Sequence, residues 1–330
     1  MRISNFQLLF LITMILGIIL CISSSTWFGA WVGLELNLMS FIPFISTKMN
    51  QFSSEASLKY FLIQALSSAT IILASSLLIL FFYPSQALIT IALLLKTGAA
   101  PFHFWFPQIM EGLMWPEALI LMTVQKIAPM FLLTLLSNSS YLMLTSAILS
   151  ATVGALGGMN QILLRSIMAF SSINHMGWML SALLINEYLW IYYFLIYSIM
   201  TSSAILLFSL IKMNHLSQII NLKSTNPLLM ILLSFILLSL GGLPPFLGFF
   251  PKWLIIQKLV EFNLPLILPF LIFSALGTLY YYLRIITPLL MIKSPKMLWL
   301  NIPAKMSTLN ILLIFTNILG LFFTILIYSL

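Results

Sequence analysis

Two interrupted apolar segments decide the fold, Gly98-Ala-Ala-Pro-Phe-His-Phe-Trp-Phe-Pro107 and Gly242-Leu-Pro-Pro-Phe-Leu-Gly-Phe-Phe-Pro251. Offset by 144 residues, they agree at five of ten positions. Proline removes a backbone donor and breaks a helix, and the hydrocarbon core of a membrane tolerates such a break only where protein or water satisfies the freed groups. We therefore expect two broken helices inside a membrane-embedded bundle, each beside a hydrated cavity.

The composition of the whole chain agrees with a membrane location. Of its 330 residues 62% are apolar, whereas fourteen are basic and six acidic. A soluble domain carries about a quarter of its residues as charged groups, and a chain this apolar cannot hide its surface in water. The composition excludes a soluble enzyme, a disordered tail and a disulfide scaffold. The basic residues are scattered and form no patch, so we expect no nucleic acid as partner.

Apolar stretches separated by polar residues predict eleven membrane-spanning helices joined by short connections. The first stretch lacks the features of a cleaved secretory signal, so we expect it to be the first helix. The spans cover roughly residues 7–22, 27–45, 58–82, 87–106, 116–136, 141–159, 167–185, 188–212, 228–260, 264–290 and 309–328.

The position of the two interrupted segments predicts an internal repeat. They lie in the fourth and ninth spans, and an odd step of five reverses the orientation of one copy, which is typical of inverted repeats in transporters. The prediction is a single all-α polytopic membrane domain, with one repeat over residues 1–137, a second over 138–290, and a basic loop and last helix over 291–330. A pair of simple packing kinks is the alternative interpretation.

Four ionisable residues lie deep within predicted spans: Glu35, Lys96, Lys126 and Lys252. Each costs about 2.5–3.5 kcal/mol near the bilayer centre unless it is paired or hydrated, and Glu35 is the only acid among them. Burial disfavours a charged amine while a nearby carboxylate favours it, so small movements of Glu35 would load or release a lysine proton. The pattern indicates a proton relay, and static interhelical ion pairs are the alternative.

Two histidines are weaker candidates for the same relay. His175 lies in the seventh span and could pass protons on, although a hydrogen-bonded core histidine explains it equally well. His103 lies at the first interruption, where a structural role is favoured. Glu111 and Glu117 are expected to be loop residues near the membrane interface.

Several site classes are excluded by residue counts and motifs. A single cysteine, Cys21, cannot supply an iron–sulfur cluster or a cysteine-based zinc site. The chain has no aspartate, which leaves Mg²⁺ and Ca²⁺ without their usual ligands. Neither nucleotide-binding glycine fingerprint occurs. We therefore expect no metal and no cofactor on this chain.

Five motifs along the chain are specific enough to indicate a family. They are Gly33-Leu-Glu-Leu-Asn37, Glu55-Ala-Ser-Leu-Lys-Tyr-Phe61, Lys96-Thr-Gly-Ala-Ala-Pro-Phe-His-Phe-Trp-Phe-Pro107, Gln125-Lys-Ile-Ala-Pro129 and Gly241-Gly-Leu-Pro-Pro-Phe-Leu-Gly-Phe-Phe-Pro-Lys-Trp253. These motifs resemble the antiporter-like membrane subunits of respiratory complex I. The resemblance runs from the first span to about Arg284, while the last forty residues match only in being a basic loop and a final helix.

The resemblance implies a proton-translocating subunit of an NADH:ubiquinone reductase, with Glu35, Lys96, Lys126 and Lys252 at the key positions of the family. It implies that NADH, FMN, iron–sulfur clusters and ubiquinone bind other subunits, and that the partners are neighbouring membrane-arm subunits and lipids, with cardiolipin among the candidates. The implied location is the mitochondrial inner membrane. The charge distribution over the loops predicts the N-terminus on the matrix side and the C-terminus on the intermembrane-space side.

Two other functions stay open at this point. A cation/proton antiporter of the same fold would move Na⁺ or K⁺, but Na⁺ coordination needs several oxygens and the spans offer one deep carboxylate. A purely structural spacer would tolerate substitution of the buried lysines.

Overall fold

The computed structural model describes residues 5–46, 50–78, 82–136, 140–218, 227–291, 317 and 320. Within these ranges the chain is helical, and its extended pairing is confined to a single bridge between Leu163 and His215. The helices are α1 (Asn5–Ser23), α2 (Trp27–Ser46), α3 (Gln51–Leu77), α4 (Phe82–Thr97), α5 (Trp105–Gly112), α6 (Trp115–Met122), α7 (Val124–Thr134), α8 (Ser140–Met159), α9 (Leu164–Ile185), α10 (Glu187–Ile211), α11 (Pro227–Gly241), α12 (Phe249–Glu261) and α13 (Leu268–Met291).

The helices confirm the polytopic membrane fold. Within the described residues, eight segments are long and apolar enough to cross a membrane, with α6 and α7 together forming one of them. The pairs α4–α5 and α11–α12 are the two broken spans. The predicted last span, 309–328, lies outside the described residues except at positions 317 and 320.

One predicted boundary was wrong by two turns. The third helix begins at Gln51, not near residue 58. Its first turns are polar, but the hydroxyls of Ser53, Ser54 and Ser57 each donate to the carbonyl three residues earlier at 2.8 Å. These local hydrogen bonds satisfy the serine hydroxyls within the helix, so the helix includes polar turns where hydropathy alone indicates a loop.

Both predicted helix breaks are present, and they occupy equivalent positions. The helix α4 ends at Thr97 and α5 begins at Trp105, while α11 ends at Gly241 and α12 begins at Phe249. Both pairs of boundaries differ by the same 144 residues. The residue after each first half is a glycine with positive φ, +71° at Gly98 and +82° at Gly242, a conformation that glycine adopts without steric cost.

A further interruption lies in the fifth span, where the sequence predicted a continuous helix. The Thr123 hydroxyl donates to the Leu119 carbonyl at 2.7 Å, and α6 ends just before this residue. Pro129 also lacks the N–H that would bond to the carbonyl one turn earlier in α7. Lys126 therefore lies in the first turn of a helix. Because Lys96 lies in the last turn of α4 and Lys252 in the first turn of α12, every deep lysine is beside a helix end.

The chain divides into two compact units, Met1–Ser146 and Ala147–Leu330, with the boundary inside α8. In the first unit α2 packs against α1 and α3, and α4 packs against α3 and α7. In the second unit α9 packs against α10, α12 and α13, and α11 packs against α10 and α13. The repeat boundaries at 137 and 290, and the inverted symmetry of the repeats, stay predictions.

The loops after α8 and α10 lie at the same end of the second unit. The Leu164 backbone N–H donates to the Asn214 carbonyl at 2.9 Å, and Arg165 donates to the Asn214 side chain at 2.9 Å. Two spans separate these loops, so α9 and α10 return the chain to the side from which it left. This is the alternation that antiparallel spans require.

Candidate functional site

The first unit contains a cavity that is lined by two of the deep lysines. Lys96 is 6% exposed and Lys126 is 2% exposed. The cavity has a volume of about 20 Å³, which is room for about one water molecule. Its polar lining is Asn37, Tyr60, Gln64, Lys96, Thr97, Gln125 and Lys126. Two buried amines therefore face a common space that accommodates water.

Hydrogen bonds between three helices hold the polar lining of this cavity. The Tyr60 hydroxyl on α3 donates to Gln125 Oε1 on α7 at 3.2 Å. The Gln125 amide donates through Nε2 to Asn37 Oδ1 on α2 at 3.0 Å. Because both ends of the Gln125 amide have partners, its orientation is defined, which places a fixed polar wall beside Lys126.

Lys96 contributes to the site through both its backbone carbonyl and its side-chain amine. Its carbonyl, at the end of α4, accepts a hydrogen bond from Gln64 Nε2 at 3.3 Å. Its amine is close enough to the Glu35 carboxylate for an electrostatic interaction. Glu35 Oε2 is buried and has no hydrogen-bond partner among the described residues. Among the described residues, the ion pairs in direct contact are Lys59–Glu55 and Lys258–Glu261. Glu35 and Lys96 are not in direct contact, so the carboxylate acts on the amine over a longer distance.

The first break brings an aromatic ring to Lys126. The Lys126 Nζ atom lies 5.2 Å from the centroid of the Phe106 ring. Phe106 is the second residue of α5, so the break that ends α4 also places this ring. A cation over an aromatic face is attracted by the ring quadrupole, which partly offsets the cost of burying the amine.

Lys252 has a different environment in the second unit. It is 5% exposed, and its Nζ atom donates to the Gly241 carbonyl at 2.9 Å and to the Leu240 carbonyl at 3.5 Å. Nζ also lies 5.9 Å from the centroid of the Trp178 ring on α9. The amine thus binds the carbonyl end of α11, where the helix dipole favours a positive charge.

The two histidine candidates differ in their surroundings. His175 is 3% exposed, and its Nδ1 atom lies 2.9 Å from the Tyr193 hydroxyl. His103 has Nδ1 3.2 Å from the Pro101 carbonyl, and its ring centroid lies 4.2 Å from that of Phe104. His103 is not among the residues that line the cavity with Lys96 and Lys126. His175 is thus part of a buried polar pair, and His103 is part of the first break.

Sequence reasoning missed three residues of the cavity, Asn37, Tyr60 and Gln64, as candidates. A signal was present, because Tyr60 and Gln64 are four residues apart and so share one face of α3. The expectation for Glu117 was wrong. It is 6% exposed in the first turn of α6, where its Oε2 accepts a hydrogen bond from the Met114 N–H at 2.9 Å. A carboxylate stabilises a helix N-terminus, which explains why an acid is buried there.

Metal-ligating side chains do not cluster in the part of the chain that the structure describes. Within the described ranges, no group of three His, Cys, Asp or Glu side chains is placed to hold a metal ion. The polar groups that do converge are amines, amides and hydroxyls, which exchange or orient protons. The arrangement is suited to moving protons between buried groups and water.

The comparisons with known proteins agree with this chemistry. Residues 24–278 match the model of the NADH:quinone oxidoreductase/Mrp antiporter transmembrane family. The chain belongs to this family. A curated relative, NADH-ubiquinone oxidoreductase chain 2 from Anopheles gambiae, is 47% identical over 97% of both chains.

Solved structures of family-like proteins share the fold. A chain of respiratory complex I from Thermus thermophilus with bound aureothin superposes with a TM-score of 0.83 at 24% identity, covering 96% of this chain and 79% of that one. A chain of the Mrp complex from Dietzia sp. DQ12-45-1b gives a TM-score of 0.77 at 18% identity, covering 84% of this chain and 59% of that one. At these identities the likeness shows the fold alone.

Proposed function

We propose that this chain is a proton-translocating core membrane subunit of the NADH:ubiquinone oxidoreductase of the mitochondrial inner membrane. Electron transfer in other subunits drives it, and it carries out no redox step itself. NADH, FMN, the iron–sulfur clusters and ubiquinone bind those other subunits. The proposal rests on the family and on one observation, the common cavity of Lys96 and Lys126.

In the first unit, Lys96 and Lys126 hold the proton in turn. Water in the cavity connects the two amines, and the Asn37–Gln125–Tyr60 hydrogen bonds orient it. The charge of Glu35 acts on Lys96 and so controls when that amine keeps its proton. Burial of both amines means that a small change in electrostatics decides which one is charged.

In the second unit, Lys252 and His175 serve the same transport. Lys252 holds its proton against the carbonyl end of α11. His175 exchanges a proton through the hydrogen bond between its ring and Tyr193. Of the candidate residues, His103 has the least support for a role in proton transfer, because its ring lies within the first break and away from the cavity lining.

The surroundings of the chain form part of the proposal. Its partners are other membrane-arm subunits, including neighbouring antiporter-like subunits, and membrane lipids such as cardiolipin. The N-terminus lies on the matrix side and the C-terminus on the intermembrane-space side. Lys212 and Arg165, which flank the loops after α10 and α8, support this orientation by the positive-inside rule.

A cation/proton antiporter subunit is the second candidate, since the fold is shared with a chain of the Mrp complex. The lining of the cavity argues against Na⁺ or K⁺. The charged groups that line the cavity are two lysines. The side-chain oxygens that could bind a cation are single amide or hydroxyl oxygens of a few residues. A positively charged wall repels a metal cation but can itself carry a proton.

The test is Lys126→Met in the complete complex reconstituted into liposomes. Methionine keeps the length and removes the proton-binding amine, so NADH-driven proton uptake per electron should fall about tenfold or more. Lys59→Met is the matched control, because Lys59 is exposed and paired with Glu55. A normal proton ratio in Lys126→Met would contradict the relay, and transport that depends on external Na⁺ would favour the antiporter.

A further inference from the structure

A group of buried hydroxyls lies beside His175 in the second unit, and of its members the proposed function uses only Tyr193. It is formed by α9, α10 and α13, and each member is at most 2% exposed. We call it the tyrosine–serine cluster: Ser171, Ser172, Tyr193, Tyr197, Tyr281 and Tyr282. Phenylalanine would fill the same space without a polar atom, so four buried tyrosine hydroxyls in a membrane core need an explanation.

The cluster begins at His175. The His175 Nδ1 atom is 2.9 Å from the Tyr193 hydroxyl, and its ring centroid is 5.0 Å from that of Tyr197. Tyr193 and Tyr197 are four residues apart on α10, so both rings project from the same face toward α9. The histidine is therefore flanked by two hydroxyls on the neighbouring helix.

From His175, the hydroxyls of the cluster form a row that runs along α9 to α13. Tyr197 lies beside Ser172 and close to Tyr282. The hydroxyl of Tyr282 lies beside Ser171 and beside Tyr281, whose ring centroid is 4.7 Å from its own. His175, Ser172 and Ser171 share one face of α9, so the row follows that helix for about one turn.

The row points toward the membrane face where α8 ends and α9 begins. The ring of Tyr281 packs at Gly158, the penultimate residue of α8. One turn further along α13, the exposed side chain of Arg284 donates to the carbonyl of Met159 at 2.7 Å, at the end of α8. With a rise of about 1.5 Å per residue, His175 is about 16 Å from the start of α9 at Leu164, and Ser171 about 10 Å.

Packing alone does not account for the hydroxyl groups. The hydroxyls of Tyr281 and Tyr282 are buried, and neither makes a direct hydrogen bond of good geometry with another described residue. A polar group buried in this way is normally satisfied by an ordered water. Hydroxyls used only to join helices would instead be in direct contact with fixed partners, as in the Asn174 contact with the Ala151 carbonyl at 3.1 Å.

We propose that the tyrosine–serine cluster, with water between its hydroxyls, conducts protons between His175 and the membrane face at which α8 ends. This inference rests on the proposed function. When an imidazolium forms at His175, it donates its Nδ1 proton to the Tyr193 oxygen, and the Tyr193 hydroxyl proton passes to the next oxygen. Each hydroxyl accepts one proton and releases one, so every tyrosine is neutral before and after the transfer, and one proton leaves at the far end.

Tyr282→Phe tests the proposal in the complete complex in liposomes, because it removes one oxygen of the row and keeps the ring. The proton-to-electron ratio should fall several-fold, and the slowing of proton uptake in D₂O should become larger. The matched control is Tyr280→Phe, since Tyr280 lies two residues earlier on α13 and is 59% exposed. It should leave both measurements unchanged.

A double variant separates conduction from assembly. Substitutions of residues on one path do not have additive effects, so His175→Gln combined with Tyr282→Phe should lower the proton-to-electron ratio no further than the more severe single variant.

Should Tyr282→Phe reduce the amount of assembled complex, Ser171→Ala serves as the second variant, with the ratio normalised to NADH oxidation. A normal proton-to-electron ratio in both Tyr282→Phe and Ser171→Ala overturns the proposal. If Lys126→Met still loses pumping, the proposed function stands without the cluster; if Lys126→Met pumps normally, the proposed function itself has failed.

Discussion

The two helix breaks have the same length and the same place in their units, but different groups satisfy their free carbonyls. At the first break, Trp105 Nε1 donates to the Leu95 carbonyl at 3.1 Å and Gln64 Nε2 donates to the Lys96 carbonyl at 3.3 Å. Both donors are neutral. The amine of Lys96 is therefore not needed at the break and extends to the cavity that Lys126 also lines.

At the second break the donor is itself a candidate proton carrier. The position equivalent to Lys96 is Leu240, and its carbonyl accepts from Lys252 Nζ at 3.5 Å, with the Gly241 carbonyl at 2.9 Å. At the first break, different residues cap the helix end and hold the proton, whereas at the second break Lys252 does both. A break capped by neutral groups leaves its lysine available, whereas a break capped by a lysine ties the helix end to the charge of that residue.

The largest expected difference is between the two donors. Lys252→Met removes both a proton carrier and the donor to α11, so proton uptake per electron should fall about tenfold or more. Gln64→Leu removes the donor to the Lys96 carbonyl and one polar group of the cavity lining but no proton carrier, which should cost about 1–3 kcal/mol of stability and leave most pumping intact. Proton uptake and thermal unfolding of the complex measure the two effects. Equal loss of pumping in both variants would remove the distinction between the breaks.

A smaller effect is expected at the two glycines. At either position the backbone would force the alanine into a left-handed conformation, which costs about 1–2 kcal/mol of folding stability. In Gly242→Ala the new Cβ would lie 2.9 Å from Lys252 Nζ and would move that amine off the Gly241 carbonyl, whereas in Gly98→Ala the nearest atoms are ring and Cβ atoms at 3.3 Å. Both variants should melt at a lower temperature, but only Gly242→Ala should also lower the proton ratio. A lower ratio in Gly98→Ala alone would reverse the comparison.

The smallest effect is expected at His103. The equivalent residue of the second break is Leu247, so His103→Leu gives the first break the side chain of the second. His103 contacts Pro101 and Phe104 and is absent from the cavity lining, so the proton ratio should not change. The measurement is again proton uptake per electron. A clear loss would place His103 in the relay and show that the first break, too, combines a proton carrier with structure.

The sequence was sufficient for features that depend on local chemistry. Hydropathy located the spans that lie within the described residues. The matching glycines and prolines located both breaks, because each proline removes a backbone donor and the glycine beside it adopts the positive φ that ends the first half-helix. It was not sufficient at Thr123, whose hydroxyl and backbone N–H both donate to the Leu119 carbonyl where α6 ends. It also misplaced Glu117, because a buried acid is favourable only beside a helix N-terminus whose position was not known.

By itself, the sequence determined that this is an all-helical membrane protein with two broken helices and with charges that must be hydrated or paired, since these follow from composition and from the cost of exposing polar groups to lipid. Only the tertiary structure decided which polar groups meet. Helical periodicity defines the face on which a residue lies, but not the helix that this face contacts. Gln125 reaches Asn37 across 88 residues, and Lys252 folds back onto the end of α11. Those contacts depend on how the helices rotate and pack, which no local pattern encodes.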